Sequence, residues 1–312
     1  LLDSDEVTAG ILDGARARRI LYTTTRDEGR PAVASALVVV PEGADGPLPV
    51  VAWAHGTTGV ARRCAPTVMD AGLEAGAFFL LDEVIDRGWA LVATDYVGLG
   101  TEGPHPYLVG QGQARSVLDA VRAARDLPAA DLADETVVWG HSQGGGAALW
   151  TSQVAPTYAP DVPLSGVAAL APAADLGSLV DALTDITGGS VFAAYVASAY
   201  AAEYDDLAVG DLVRPTARTT FDQTIGRCLD ATALASVLSS VATGFDMFRR
   251  DVVDRLRPHL EANTPTGPFG APVLVAQGAA DTLITADVQE RYVADLCAAG
   301  RSVAYRSYAG LG

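Results

Sequence analysis

The sequence predicts an α/β protein, a mostly parallel sheet flanked by helices, and three observations carry that expectation. Strand-like and helix-like stretches alternate along most of the chain. Several strand-like runs are apolar throughout, as strands covered on both faces are. A Gly-x-Ser-x-Gly turn lies where one of those runs passes into a run of small residues.

The β-rich runs are 34–40 (ASALVVV), 48–54 (LPVVAWA), 89–96 (WALVATDY), 136–140 (TVVWG), 164–172 (LSGVAALAP), 271–278 (APVLVAQG) and 301–308 (RSVAYRSY). Between the third and fourth, Val117, Leu118, Val121 and Ala124 share one helical face. The alternation breaks over residues 173–270. There Phe192, Val196, Tyr200 and Tyr204 recur every four residues, and Leu234, Val237, Leu238 and Val241 form a second stripe. The expected organisation is a core of residues 1–172 and 271–312 with a helical cap, 173–270, over the carboxyl edge of the sheet, where ligands of such sheets bind. Helical decoration on a flank is the alternative for that segment.

Composition limits the chemistry. The chain has 312 residues, 49% of them hydrophobic and 19% charged, which suffices for a large core. A net charge of −17 argues against nucleic acid and anionic membrane surfaces as partners. All 21 basic residues are arginine, so Schiff bases, Walker-type phosphate loops and Ser-Lys dyads are excluded. No apolar run reaches the roughly 20 residues that span a bilayer. The opening Leu1-Leu2-Asp3-Ser4-Asp5-Glu6 has neither an initiator methionine nor a basic-then-apolar signal, and reads as the start of a mature or trimmed form. Cys64, Cys228 and Cys297 include no C-x-x-C, so no zinc site is expected, and nothing in the sequence calls for a metal or organic cofactor.

Gly140-His141-Ser142-Gln143-Gly144 follows a strand and precedes a small-residue helix, the context of a nucleophile elbow. Ser142 is the candidate nucleophile. Glycines two residues to either side allow a turn too tight for neighbouring side chains. The backbone N–H of Gln143 is one expected oxyanion donor, and that of Thr57, in the His55-Gly56-Thr57 turn after 48–54, is the other. Read alone, His-Gly-Thr-Thr-Gly could equally be an ordinary tight turn. The orienting acid is expected at Asp281, just past the strand at 271–278, with Asp175 as the fallback. Gly98-Leu99-Gly100-Thr101-Glu102-Gly103 matches a dinucleotide fingerprint literally, but Pro104-His105-Pro106 follows and no helix can open there.

The general base is harder to place. His55 belongs to the oxyanion turn, His141 to the elbow, His105 stands between two prolines, and His259 lies near the end of the cap. The base should follow the last strand, and after 301–308 come only Ala309, Gly310, Leu311 and Gly312.

Five segments together, AWAHGTTG, TDYVGLGTEGPHPYL, VLDAVRAARDL, WGHSQGGGAALW and the strand ending in Asp281, resemble the secretory lipase family of actinobacteria and fungi. The resemblance covers nearly the whole chain. It implies an α/β-hydrolase fold, hydrolysis of hydrophobic esters, no cofactor and secretion. In that family a Tyr-x-Gly-x-Gly-like turn leads directly to the catalytic histidine. Tyr308-Ala309-Gly310-Leu311-Gly312 resembles that turn, so the histidine is expected as residue 313 of a longer parent. The same resemblance implies a Cys64–Cys228 disulfide, with a partner for Cys297 beyond residue 312. Phe192, Tyr195, Val196 and Tyr200 of the cap are expected to line an apolar acyl site, the alternative for each being cap packing. Two other functions stay open on these residues, an acyltransferase or peptidase using the same triad and a non-catalytic binding protein on a hydrolase scaffold. Oligomeric state is not legible.

Overall fold

The computed structural model describes residues 1–8, 13–44, 46–69, 81–128, 130–183, 188–229 and 244–312. The stripe at Leu234, Val237, Leu238 and Val241 lies outside them.

Nine strands form one sheet in the order β1-β2-β3-β5-β4-β6-β7-β8-β9. They are β1 (Asp3–Val7), β2 (Ala15–Thr25), β3 (Pro31–Pro41), β4 (Leu48–Ala54), β5 (Ala90–Thr94), β6 (Leu132–His141), β7 (Leu164–Leu170), β8 (Val273–Gly278) and β9 (Val303–Tyr308). From β5 through β9 every neighbouring pair is parallel, while β1, β2 and β3 form an antiparallel edge. All seven strand-like runs of the sequence are strands. Strands β1 and β2 are additions, and in β2 the signal is partial: Ala17, Ile20, Tyr22 and Thr24 are buried, but three arginines interrupt the run.

The described helices of the core are α1 (Leu81–Asp86), α2 (Gly110–Arg125), α3 (Gln143–Tyr158) and α9 (Ala286–Ala298). Strand β4 shows why its sequence is apolar at every position but one. Val50, Ala52 and Ala54 join the cluster containing Val117, Leu118 and Leu149 from α2 and α3, while Val51 and Trp53 join the cluster of Val84 and Ile85 from α1. Burial on both faces removes the need for alternation. Val117, Leu118, Val121 and Ala124 are all buried in α2, as their spacing predicts.

Between β7 and β8 the described residues are helical apart from short connections and a Val213–Phe248 bridge. They form α4 (Leu176–Ala182), α5 (Gly189–Glu203), α6 (Val209–Leu212), α7 (Arg218–Ile225) and α8 (Val252–Ala262). These helices share an apolar cluster distinct from those of the sheet, which also takes in Tyr107, Leu108 and Val109 from the loop before α2. The Cys64–Cys228 disulfide joins the loop after β4 to the segment after α7. A buried ion cluster makes a second tie: Glu203, at the end of α5, receives Arg26 at 2.5 Å and also Arg30, both from the turn between β2 and β3. Cys297 is an exposed free thiol.

Candidate active site

Ser142 sits where β6 passes into α3, with φ 55° and ψ −118°. That is backbone space which a residue with a Cβ rarely enters. The turn is fixed from both sides: Ser142 N–H donates to Leu170 O at 2.9 Å, and Ser142 O accepts from Ala173 N–H at 2.9 Å. The flanking glycines are steric necessities. A Cβ on Gly144 would lie 1.8 Å from the Ala54 carbonyl oxygen, and one on Gly140 would lie 2.0 Å from that of Gly144. Backbone stands in the way both times, so no rotamer change could relieve either clash.

The loop after β4 packs against this turn. A Cβ on Gly56 would lie 3.3 Å from His141 Nδ1 and 3.8 Å from Ser142 Cβ, so the His55-Gly56-Thr57 turn passes directly beside the nucleophile candidate. Gln143 opens α3, and the N–H of a first helical residue has no partner within its own helix. Thr57 Oγ1 is 2.9 Å from the Tyr107 hydroxyl.

Asp281 follows β8, one strand beyond β7 from the elbow. Its Oδ1 accepts from the N–H groups of Leu283 at 2.8 Å and Ile284 at 3.0 Å, which fixes the carboxylate. It also bears electrostatically on His141. The fallback, Asp175, is occupied otherwise: it caps α4, its Oδ1 accepting from Ser178 N–H at 3.1 Å. After β9 the chain returns to the Asp281 loop. Ala280 N–H donates to Leu311 O at 2.7 Å, and a Cβ on Gly312 would lie 3.6 Å from Asp281 N.

Each histidine has a defined environment. His55 is buried, and desolvation lowers its pKa to about 4; Nδ1 donates to Gly56 O at 2.6 Å. Desolvation lowers that of His105 to about 3, and its Nδ1 donates to Val97 O at 3.0 Å. His141 is half-buried, which lowers its pKa against the opposing pull of Asp281. His259 stacks on Tyr204 at 4.2 Å and meets Asp206 Oδ2 at 3.1 Å, on the cap surface. The stretch from Gly98 to Gly103 is loop, as its prolines predict, and Pro104–His105 folds back so closely that a Cβ on Gly98 would lie 2.5 Å from His105 N.

Ser142 opens into a cavity between the sheet and the helices that lie between β7 and β8. Its polar lining is Thr57, Tyr107 and Ser142; the rest is apolar, including Leu108, Leu176, Val180, Leu183, Phe192, Val196, Leu260, Leu283 and Ile284. Phe192 and Val196 line this cavity. Tyr195 and Tyr200 do not, and that expectation is corrected. These two tyrosines are fully buried in the apolar cluster of the helices and donate through their hydroxyls to Arg227 O at 2.9 Å and Leu108 O at 3.2 Å. Tyr107, Leu108, Leu283 and Ile284 are wall residues that sequence reasoning missed. Their signal was adjacency to the 98–106 loop and to Asp281. No group of His, Cys, Asp or Glu among the described residues is arranged to hold a metal ion, and no described helix is long and apolar enough to cross a membrane.

Comparison with known proteins gives concordant results. A curated relative, Lipase 5 of Candida albicans, is 28% identical over 241 residues, covering 73% of this chain and 50% of its own length. A Mycobacterium tuberculosis protein, named a probable inactive lipase, is 27% identical over 317 residues, covering 93% of this chain and 67% of its own length. The chain thus spans about half of the first relative and two-thirds of the second. Among solved structures, the rice cell wall degrading esterase LipA of Xanthomonas oryzae superposes with a TM-score of 0.83 at 22% identity, over 99% of this chain and 90% of that one, which shows the α/β-hydrolase fold. The secretory lipase profile matches residues 72–309, a span that includes Ser142 and Asp281. The chain belongs to the secretory lipase family.

Proposed function

We propose that this chain is the hydrolase portion of a secreted carboxylester hydrolase acting on hydrophobic esters. The observation that carries the reading is Ser142, held at a strained positive φ at the end of an apolar cavity. Strain of this kind costs about 1–3 kcal/mol and persists where the surroundings over-determine it. Ser142 Oγ attacks the ester carbonyl as a histidine takes its proton. The N–H groups of Gln143 and Thr57 hold the resulting oxyanion. Collapse breaks the bond to the alcohol, which leaves with that proton, and water then releases the acid from Ser142 by the same relay. Asp281 orients the imidazole and stabilises its charged form.

The relay is assigned to a histidine carried by the segment that follows Gly312. Two observations support this. Each of His55, His105 and His259 is engaged elsewhere, and the backbone at Leu311–Gly312 lies against Ala280 and Asp281. His141 is the competing assignment, since it adjoins Ser142 and feels Asp281. Secretion rests on the disulfide, which persists in oxidising compartments, and on the family.

The test is hydrolysis of p-nitrophenyl butyrate by the protein as its gene encodes it. Turnover is expected to vanish in Ser142→Ala and in a variant of the histidine following Gly312, and to survive His141→Asn. Loss in His141→Asn with survival of the other would reassign the base. A second reading, a non-catalytic binder, is favoured by the name of the M. tuberculosis relative; absence of Ser142-dependent turnover would select it.

A further inference from the structure

One short strap, Pro104–Val109, touches both sides of the oxyanion hole proposed above. His105 Nδ1 lies 3.0 Å from the Val97 carbonyl, which can only accept, so Nδ1 carries the hydrogen. Burial keeps this imidazole neutral, its pKa held at about 3, so Nε2 is a bare acceptor. Gln143 Nε2 donates to it at 3.0 Å. Two residues on, the Tyr107 hydroxyl meets Thr57 Oγ1 at 2.9 Å. All four side chains are buried except Thr57, which is half-buried.

The strap is itself seated on the cap. Tyr107 packs edge-on to Tyr195 of α5, with ring centroids 5.8 Å apart, and Tyr200 of α5 donates to Leu108 O. On its other side the His105 ring stacks on Tyr96 at 5.7 Å, and Tyr96 donates through its hydroxyl to His55 O at 3.1 Å. Leu108, within the strap, is held at φ 56°, and Tyr96, beside the His105 ring, at φ 62°, backbone that persists where the surroundings over-determine it.

We propose that this strap is the positioning element of the oxyanion hole, His105 fixing Gln143 on one side and Tyr107 fixing Thr57 on the other. The proposal rests on the esterase reading above. His105 and Tyr107 are positioning residues: neither donates to the oxyanion, and each acts through the residue that does. Because the strap that carries both is anchored to α5 through Tyr107 on Tyr195 and Leu108 O on Tyr200, the helix that forms part of the acyl wall also sets the geometry of the two donors. The buried tyrosines of α5 act in this seating rather than in substrate contact.

Two conservative variants separate positioning from packing. In His105→Gln the amide oxygen takes the place of Nε2 and still accepts from Gln143. His105→Asn instead keeps a donor near Val97 O and cannot reach Gln143. In the full-length protein, His105→Asn and Tyr107→Phe are expected to lower kcat about tenfold or more with KM within about twofold, and His105→Gln to recover most of the loss. Affinity for an alkyl trifluoromethyl ketone, which adds to the serine as a hemiketal oxyanion, is expected to fall by the same factor as kcat/KM. Loss of activity that follows Tm alone, equal in His105→Asn and His105→Gln, would overturn the proposal, as would unchanged ketone affinity. If the parent shows no Ser142-dependent turnover, the esterase reading fails separately. The strap is then read from hydrogen exchange at the Gln143 backbone amide, where acceleration in His105→Asn but not in His105→Gln supports it and equal rates overturn it.

Discussion

Replacing Ser142 by glycine should make the folded protein more stable than replacing it by alanine. Both variants lack the hydroxyl, so the comparison isolates the Cβ at φ 55°, ψ −118°. A residue held in such a region stores about 1–3 kcal/mol. Glycine enters it without steric cost. Opposing this, the unfolded chain gains entropy with glycine, worth about 0.4–1 kcal/mol. Taken at the middle of both ranges, about 2 less about 0.7, the difference leaves about 1.3 kcal/mol in favour of Ser142→Gly. At this chain length that corresponds to roughly 2–4 °C in Tm. Guanidinium unfolding with the disulfide intact, read by tryptophan fluorescence, measures it. Equal stability, or Ser142→Ala the more stable, would refute the claim that the turn is strained at this residue.

Three further perturbations test the frame around the site. Opening the Cys64–Cys228 bridge, which spans a sequence separation of 164, should cost about 5 kcal/mol in the chain-entropy model; an unfolding midpoint unmoved in Cys64→Ser/Cys228→Ser would contradict it. Glu203→Gln should destabilise by roughly 3–5 kcal/mol, because it leaves the guanidinium of Arg26, only 11% exposed, without its counter-charge. Arg30→Ala, at a side chain 46% exposed, should cost no more than about 1 kcal/mol, and equal losses in urea titrations of the two variants would argue against a buried ion cluster. His55, whose folded pKa is lowered to about 4, stays neutral where the unfolded chain takes up a proton, so it removes stability as pH falls from 6.5 towards 4. That amounts to about 1.4 kcal/mol per pH unit. Asp27 and Asp95, raised to about 6 by desolvation, oppose it: the folded state takes up their protons first, which adds stability as pH falls from about 6 to 4. The contribution of His55 is therefore read as the stability of the parent minus that of His55→Gln, which should fall on acidification across this window; a constant difference would contradict its buried neutrality.

What the sequence made legible follows from how local each signal is. Strands β3, β4, β5 and β8 could be read because burial on both faces demands nearly unbroken apolar runs. The elbow could be read because its Gly-x-Ser-x-Gly spacing is local, although the clash that requires Gly144 is with the distant Ala54 carbonyl. Strand β2 was hidden: it is an antiparallel strand whose arginines alternate with buried residues, and its partner β1 is short and mostly exposed. In the cap, a period of four put Phe192 and Val196 on the same stripe as Tyr200, yet only the first two reach the cavity. Periodicity identifies an apolar face but not which part of that face meets a void. That division depends on where α5 crosses the 104–109 strap, a contact between residues about ninety positions apart. The pairing of His105 with Gln143 is long-range in the same way. His105 stood out in the sequence only as a histidine between prolines.

The central claim is that Ser142 is an activated nucleophile, and covalent trapping tests it most directly. The full-length protein is incubated with p-nitrophenyl hexylphosphonate, and the adduct is located by peptide mass mapping. The account predicts stoichiometric phosphonylation of the peptide containing Ser142, absent in Ser142→Ala and slowed in Asp281→Asn. No adduct on folded protein, or an adduct on another residue that persists in Ser142→Ala, would contradict it.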